Sequence, residues 1–304
     1  MGMMTAGLRR LRRLEPNPIL VKELRSRFRG SRAFWTVSGF LTALTLAVWW
    51  SWWSYRGWAT AIGASAVIDG YDPAAFGRRL FQNLSWLELI SVLVIAPALT
   101  FSAISGERER QTLDLILATP QSGWAILRGK LGAAMAYVLL LVFSALPVLS
   151  LVFFFGGVSW HDVLRSQLAV VAAGLTLATL GLLASVIAGH TVRAAVLAYA
   201  ATGLLTLGPL VLLGFTALDQ SGYSLLTTVL FGMSPVTMRL AIGGSTGAFL
   251  PLLLAQGWLA MTFLFIAGWR LAGTLNRPRR LLLWPALAVA WLVWIATTHP
   301  NGLF

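Results

Sequence analysis

The chain has 304 residues, of which 58% are hydrophobic and only 11% charged, with a formal net charge of +13 and no cysteine. A soluble globular domain is about 45–50% apolar and about 25% charged, so the composition excludes one, and the missing cysteines exclude a disulfide framework, an iron–sulfur cluster or a thiolate zinc site. The apolar excess falls in windows of about 20 residues, long enough to cross a bilayer core of about 30 Å, and the basic residues flank those windows as in a membrane protein rather than a nucleic-acid binder.

The chain begins with a basic tail, Met1–Arg13. In "NPILVKELRSRFRGSR" that follows, Asn17 can cap a helix and Pro18 fits its first position. On that helix Leu20, Val21, Leu24 and Phe28 form an apolar stripe opposite Lys22, Arg25 and Arg29. This pattern predicts an amphipathic helix lying on an anionic inner leaflet, with membrane lipid as its partner.

The first span is expected at Phe34–Ser54, longer than the 7–15 apolar residues of a cleaved leader. Trp49, Trp50, Trp52, Trp53 and Trp58 form an aromatic belt at its outer end. Further spans are expected at Trp86–Ile104, Ile126–Phe155 with a kink at Pro147, Val163–Ala188, Ala194–Ala217 and Ala248–Leu271. On the fourth, Gly181, Ser185 and Gly189 recur every four residues, a ridge of small side chains that admits a neighbouring helix from this chain or from a second copy. "GMSPVTMRLAIGGS" is too short and broken to cross and reads as a partly buried outer element. Leu281–Thr297 would reach about 26 Å as a helix, enough for a seventh span or a re-entrant segment. The organisation is therefore residues 1–33 as tail and elbow helix, 34–275 as the transmembrane domain, and 276–304 as basic linker and extra span.

Lysines and arginines set the orientation. Eighteen lie in residues 1–33, 105–130, 190–193 and 270–280, against five in the alternate connections. The first group is predicted to be cytoplasmic, with the amino terminus inside and Asp69–Arg79 outside. His161, His190 and His299 are far apart and share no ligand spacing, so no metal is expected.

One segment stands out. "SGERERQTLDLILATPQSGWAILRGK", Ser105–Lys130, is the densest run of mixed charge and lies between two strongly apolar spans. Read as a helix from Gly106 to Ala118, it places Leu113, Ile116 and Leu117 on one face and Glu107, Arg110 and Asp114 on the next. Apolar anchors between charges of both signs suit docking into a groove on another protein, and Thr119-Pro120 ends the helix. Gly123…Gly129-Lys130 superficially matches a phosphate-binding loop, but its glycines are one residue too far apart and Leu131 stands where Ser or Thr should hold magnesium. The chain is not expected to hydrolyse ATP.

These residues resemble the cytoplasmic loop of ABC-2-type transporter permeases, the membrane subunits of type V exporters. Glu107, Glu109, Thr112-Leu113, Asp114, the Leu115–Leu117 run, Thr119-Pro120 and Gly129-Lys130 follow that family's order, and "NPILVKELRSRFRGSRAF" resembles its elbow helix, in which Leu20, Lys22, Leu24, Arg25, Phe28 and Arg29 face membrane or headgroups. Ser234-Pro235 is similar to its outer turn. The resemblance implies an all-α bundle of six core spans in the inner membrane, with a coupling helix at about 105–122 that contacts a separate ATPase subunit through Glu107, Arg108, Glu109, Arg110, Thr112, Leu113, Asp114, Ile116 and Leu117. It implies a smaller second contact at His190 and Arg193, a second permease copy or sister permease, and ATP with magnesium bound on the partner, none on this chain. An ABC-like scaffold or envelope-maturation subunit remains open beside it. A secondary transporter would need ionisable residues within the spans to couple ions, and the spans contain almost none apart from Glu88, near a predicted end.

Overall fold

The structure, a computed structural model, describes residues 18–29, 31–61, 72–113, 123–218, 234–240 and 246–273. Every regular element among them is helical: α1 (Pro18–Phe28), α2 (Ser31–Ala61), α3 (Pro73–Thr100), α4 (Ser105–Glu109), α5 (Gly123–Phe155), α6 (Trp160–Ile187), α7 (Thr191–Leu218), α8 (Pro235–Leu240) and α9 (Thr246–Gly273). Six helical stretches among the described residues are long and apolar enough to cross a membrane. The expected polytopic α-bundle is thus present, and the expected segment Leu281–Thr297 lies outside the described residues.

Two boundaries differ from the sequence expectation. The second span starts at Pro73 rather than Trp86. Asp72 accepts a hydrogen bond from the Ala74 N–H at 2.9 Å and Pro73 occupies the first turn, a strong start signal, so residues 73–79 are helix and not loop. Glu88 consequently sits mid-helix, 1% exposed, rather than near an end. Ser234 to Arg239, expected to be partly buried, are buried throughout.

The centre of the bundle is α6, whose apolar window is 67% buried, against 11% for α2 at the periphery. In lipid the hydrophobic effect does not draw helices together, so close approach of small residues sets the packing. A Cβ on Gly181 would stand 2.3 Å from Thr100 Oγ1 and 3.1 Å from the Pro97 carbonyl, so α3 lies directly on α6. Four residues on, Ser185 is fully buried against the start of α4. Nothing lies within 4 Å of the corresponding point at Gly189. The small-residue ridge is therefore an internal contact at Gly181 and Ser185, and Gly189 takes no part in it.

At one end of the bundle α5 turns into α6 through Gly156-Gly157, both with positive φ, and a reciprocal cap between Ser159 and Asp162 starts α6. The Ala74 carbonyl is so close to Gly157 that a Cβ there would meet it at 2.3 Å. Leu44, Phe76, Leu80, Leu141 and Val152 fill the core near this end. At the opposite end Ile104, Ile126, Leu127, Leu182 and Leu271 form a second core, with Ile19 and Leu113 packed against it. That second end carries α1, α4 and the basic residues, and it will be called the basic end.

Candidate functional site

The site is assembled by close approach. On α5, Gly129 and Gly132 leave room for α1, where Ile19 Cγ2 and Leu20 Cδ1 would stand 2.9 Å and 3.0 Å from a Cβ at those glycines. Seated there, α1 places Glu23 and Arg27, at helical spacing from Ile19 and Leu20, on its inward face with Leu24. This face differs from the stripe expected from hydrophobicity alone: Val21 and Phe28 are 38% and 40% exposed. The helix is rotated because Glu23 has a buried cation to meet on α5. Lys22, Arg25 and Arg29 are exposed as expected.

That cation is Lys130, whose side chain is 4% exposed, with Nζ 3.0 Å from Glu23 Oε1 and 2.7 Å from Glu107 Oε1. Beside it, Arg27 Nε lies 3.8 Å from Glu23 Oε2, and its Nη2 donates at 2.7 Å to the Leu99 carbonyl in the last turn of α3. Burial holds the Arg27 guanidinium below its ordinary pKa, with Glu23 partly offsetting this. One lysine thus fastens three elements, and a neighbouring arginine adds a fourth. The Gly123–Lys130 stretch that mimics a phosphate loop is continuous helix.

The charged block is fastened almost residue by residue. Ser185 Oγ accepts from the N–H groups of Ile104 and Ser105 at 2.8 and 3.0 Å, satisfying the entry to α4 from α6. Glu107 takes Lys130. Arg108 Nη1 donates at 3.1 Å to the Ala188 carbonyl, where α6 ends and a cation is favoured. Glu109 accepts from the Thr191 hydroxyl at 2.7 Å and the Thr191 N–H at 2.8 Å, capping α7. Those two bonds, the hydroxyl's first, hold the Glu109 carboxyl below the ordinary value of 4.5.

The expected single helix Gly106–Ala118 is not formed. α4 stops at Glu109 because Gln111 takes a left-handed φ of 54°, with Gln111 N donating to the Arg108 carbonyl and Thr112 N to the Glu107 carbonyl. These are the two bonds of a Schellman cap, with glutamine where glycine is usual. A continuous helical face joining Glu107 to Leu113 therefore does not exist. Leu113 is half-buried against this chain's own core; Asp114, Ile116 and Leu117 lie outside the described residues. Arg110, His190 and Arg193 are exposed, His190 Nδ1 being 3.6 Å from Glu109.

Between α1 and α4 these side chains border a polar cleft of about 770 Å³, lined among others by Lys22, Glu23, Arg27, Glu107, Arg110 and Lys130. Sequence reading missed Glu23, Arg27, Lys130, Ser105 and Thr191 as members. The available signal was an acid three residues after Leu20 on the supposed apolar side of α1, and a lysine at the head of an otherwise apolar span.

Six helices of membrane-crossing length among the described residues, with an amphipathic helix folded onto the third and a charged turn locking both to the other spans, define a polytopic membrane protein with one strongly organised polar end. The chain belongs to the ABC-2 family of transporter proteins: the family model, ABC-2 family transporter protein, matches residues 18–228, from the first residue of α1 past the end of α7. It is thus a permease, the membrane component of an ABC transporter. Comparison with curated proteins gives no match.

Proposed function

We propose that this chain is the membrane half of an ABC exporter in the inner membrane, with its basic end in the cytoplasm, and that a separate subunit binds ATP and magnesium and does the hydrolysis. The observation that supports the coupling is the fastening of residues 104–112. Through Lys130, Ala188, Thr191 and Ser185 this short turn is tied to α5, α6 and α7, and through Lys130 also to α1. A push on it is delivered to several spans at once, which is what a transmission element requires. The exposed Arg110 and the residues that follow, among them Asp114, Ile116 and Leu117, then form the surface offered to the ATPase, with His190 and Arg193 as a second contact. Two permeases, identical or sister chains, complete the path, and substrate moves outward between them.

The test is Leu117→Asp. Losing a central interface anchor typically costs about 2 kcal/mol or more, about 30-fold in affinity, and a buried unpaired carboxylate adds to that. Membrane levels are expected to stay normal while the ATPase no longer co-purifies, whereas Arg78→Gln at the opposite end leaves it bound. A Leu117→Asp protein that retains its ATPase and full activity would refute the coupling role. Orientation is checked separately: a lone cysteine at Thr112 should resist impermeant thiol reagents in intact cells.

A further inference from the structure

We propose that Glu88, Gln167 and Arg239, far from the basic end, form a binding site for a zwitterionic group: an oxyanion held by Arg239 and an ammonium held by Glu88 and Gln167. These three residues come from α3, α6 and α8, and they are 1%, 8% and 6% exposed. Gln167 Nε2 donates to Glu88 Oε2 at 2.9 Å. Counting 1.5 Å per residue from the Ser185 contact, Gln167 lies about 27 Å from the basic end, near the outer headgroup level in the proposed orientation.

The argument is one of open hydrogen-bonding capacity. More than about 90% of buried polar groups in folded proteins have a partner. Six of the ten buried side-chain atoms without one, among the described residues, belong to these three side chains and to Ser85 and Ser166 beside them. On Arg239 the two open donors are Nε and Nη2, the side-on edge of the guanidinium, which matches a carboxylate or phosphate with two parallel bonds. Its guanidinium carbon stands over the Phe81 and Trp86 rings, 5.5 and 5.7 Å from their centres, aromatic contacts that leave the edge unpaired. On the other side the open atoms are acceptors, Glu88 Oε1 and Gln167 Oε1. No ion pair among the described residues joins Arg239 to Glu88. A guest with an oxyanion and an ammonium a few ångströms apart fills both ends, as a phosphoethanolamine headgroup would, whether free or on a lipid. Its place is where α8 packs against α3 and α6.

The experiment uses the full-length chain without any ATPase, so it is independent of the coupling proposal. In phosphatidylglycerol nanodiscs, calorimetry should show saturable binding of O-phosphoethanolamine. Arg239→Lys, which keeps the charge but loses the fork, should weaken it at least tenfold. Glu88→Gln, nearly isosteric, should weaken O-phosphoethanolamine about tenfold but change inorganic phosphate binding less than twofold. Arg78→Gln should change neither. Nanodiscs containing phosphatidylethanolamine should abolish the titration if the source is lipid, with that lipid retained in native mass spectra, and leave it intact if the source is a free solute. The site is refuted if the wild type shows no saturable binding, or if Glu88→Gln binds O-phosphoethanolamine like the wild type. The second criterion holds even if Arg239→Lys fails to fold.

Discussion

Replacing Lys130 by methionine keeps the length of the side chain and removes its charge. At 2.7 and 3.0 Å, each attraction at an effective dielectric of 20 is about 5–6 kcal/mol, most of it offset by the cost of bringing three charges out of water. The loss on deleting one partner of such a cluster is about 3–5 kcal/mol, because the remaining charges are stranded; here Glu23 and Glu107 keep 18% exposure, so about 3 kcal/mol is the figure to expect. Since α1 is held by this cluster and by Arg27, the loss should appear as local undocking of α1, with its opening constant raised about 100-fold. Hydrogen exchange of the Glu23–Phe28 amides in detergent reads this directly. Adding Glu23→Gln and Glu107→Gln to Lys130→Met removes the stranded charges and should restore most of the protection. The reasoning fails if exchange in α1 stays within threefold of the wild type, or if the triple variant opens as readily as the single one.

Gln111→Gly should stabilise the protein by about 1 kcal/mol, because glycine adopts the left-handed cap without the Cβ penalty; a lower denaturation midpoint would show the cap is not strained. Gly181→Ala must displace Thr100 or Pro97 and should cost about 1–3 kcal/mol, while Gly189→Ala, with open space, should be neutral in the same denaturation assay. The depressed carboxyl of Glu109 stabilises the α7 cap at all pH values above 4.5, and the contribution is lost as pH falls through its folded value, which lies below 4.5. A carboxyl carbon titration should show that midpoint, and Thr191→Val should raise it.

The spans were legible because a 20-residue apolar window has few other meanings, and the basic clusters around them marked which ends belong together. What escaped was anything set by a partner distant in sequence. Glu23 and Lys130 each look anomalous alone, one an acid on an apolar side and the other a cation at the head of a span, and each is explained only by the other. The charged segment after the second span reads as one helix in the sequence because glutamine at position 111 gives no sign of a left-handed cap, whereas glycine would. The start of α3 was missed although Asp72-Pro73 signals it, since the polar residues Arg78, Arg79, Gln82 and Asn83 that follow hid the helix behind low hydrophobicity. Arg239 and Glu88 are separated by about half of the chain, so nothing local in the sequence links them.

The shared lysine has a consequence for biosynthesis. Glu23 leaves the ribosome 107 residues before Lys130, and at about 5–20 residues per second that is an interval of about 5–20 s. Throughout it Glu23 lacks the buried ammonium it meets on α5 and has only Arg27, one turn further along its own helix, as a counter-charge. Glu107 then follows and adds a second carboxylate that awaits the same ammonium. Only when the third span arrives does one ammonium neutralise both, so the first third of the polypeptide matures late although it is made first. A nascent chain arrested before residue 130 should present an elbow helix held by lipid and by the Arg27–Leu99 bond, without its ammonium clasp.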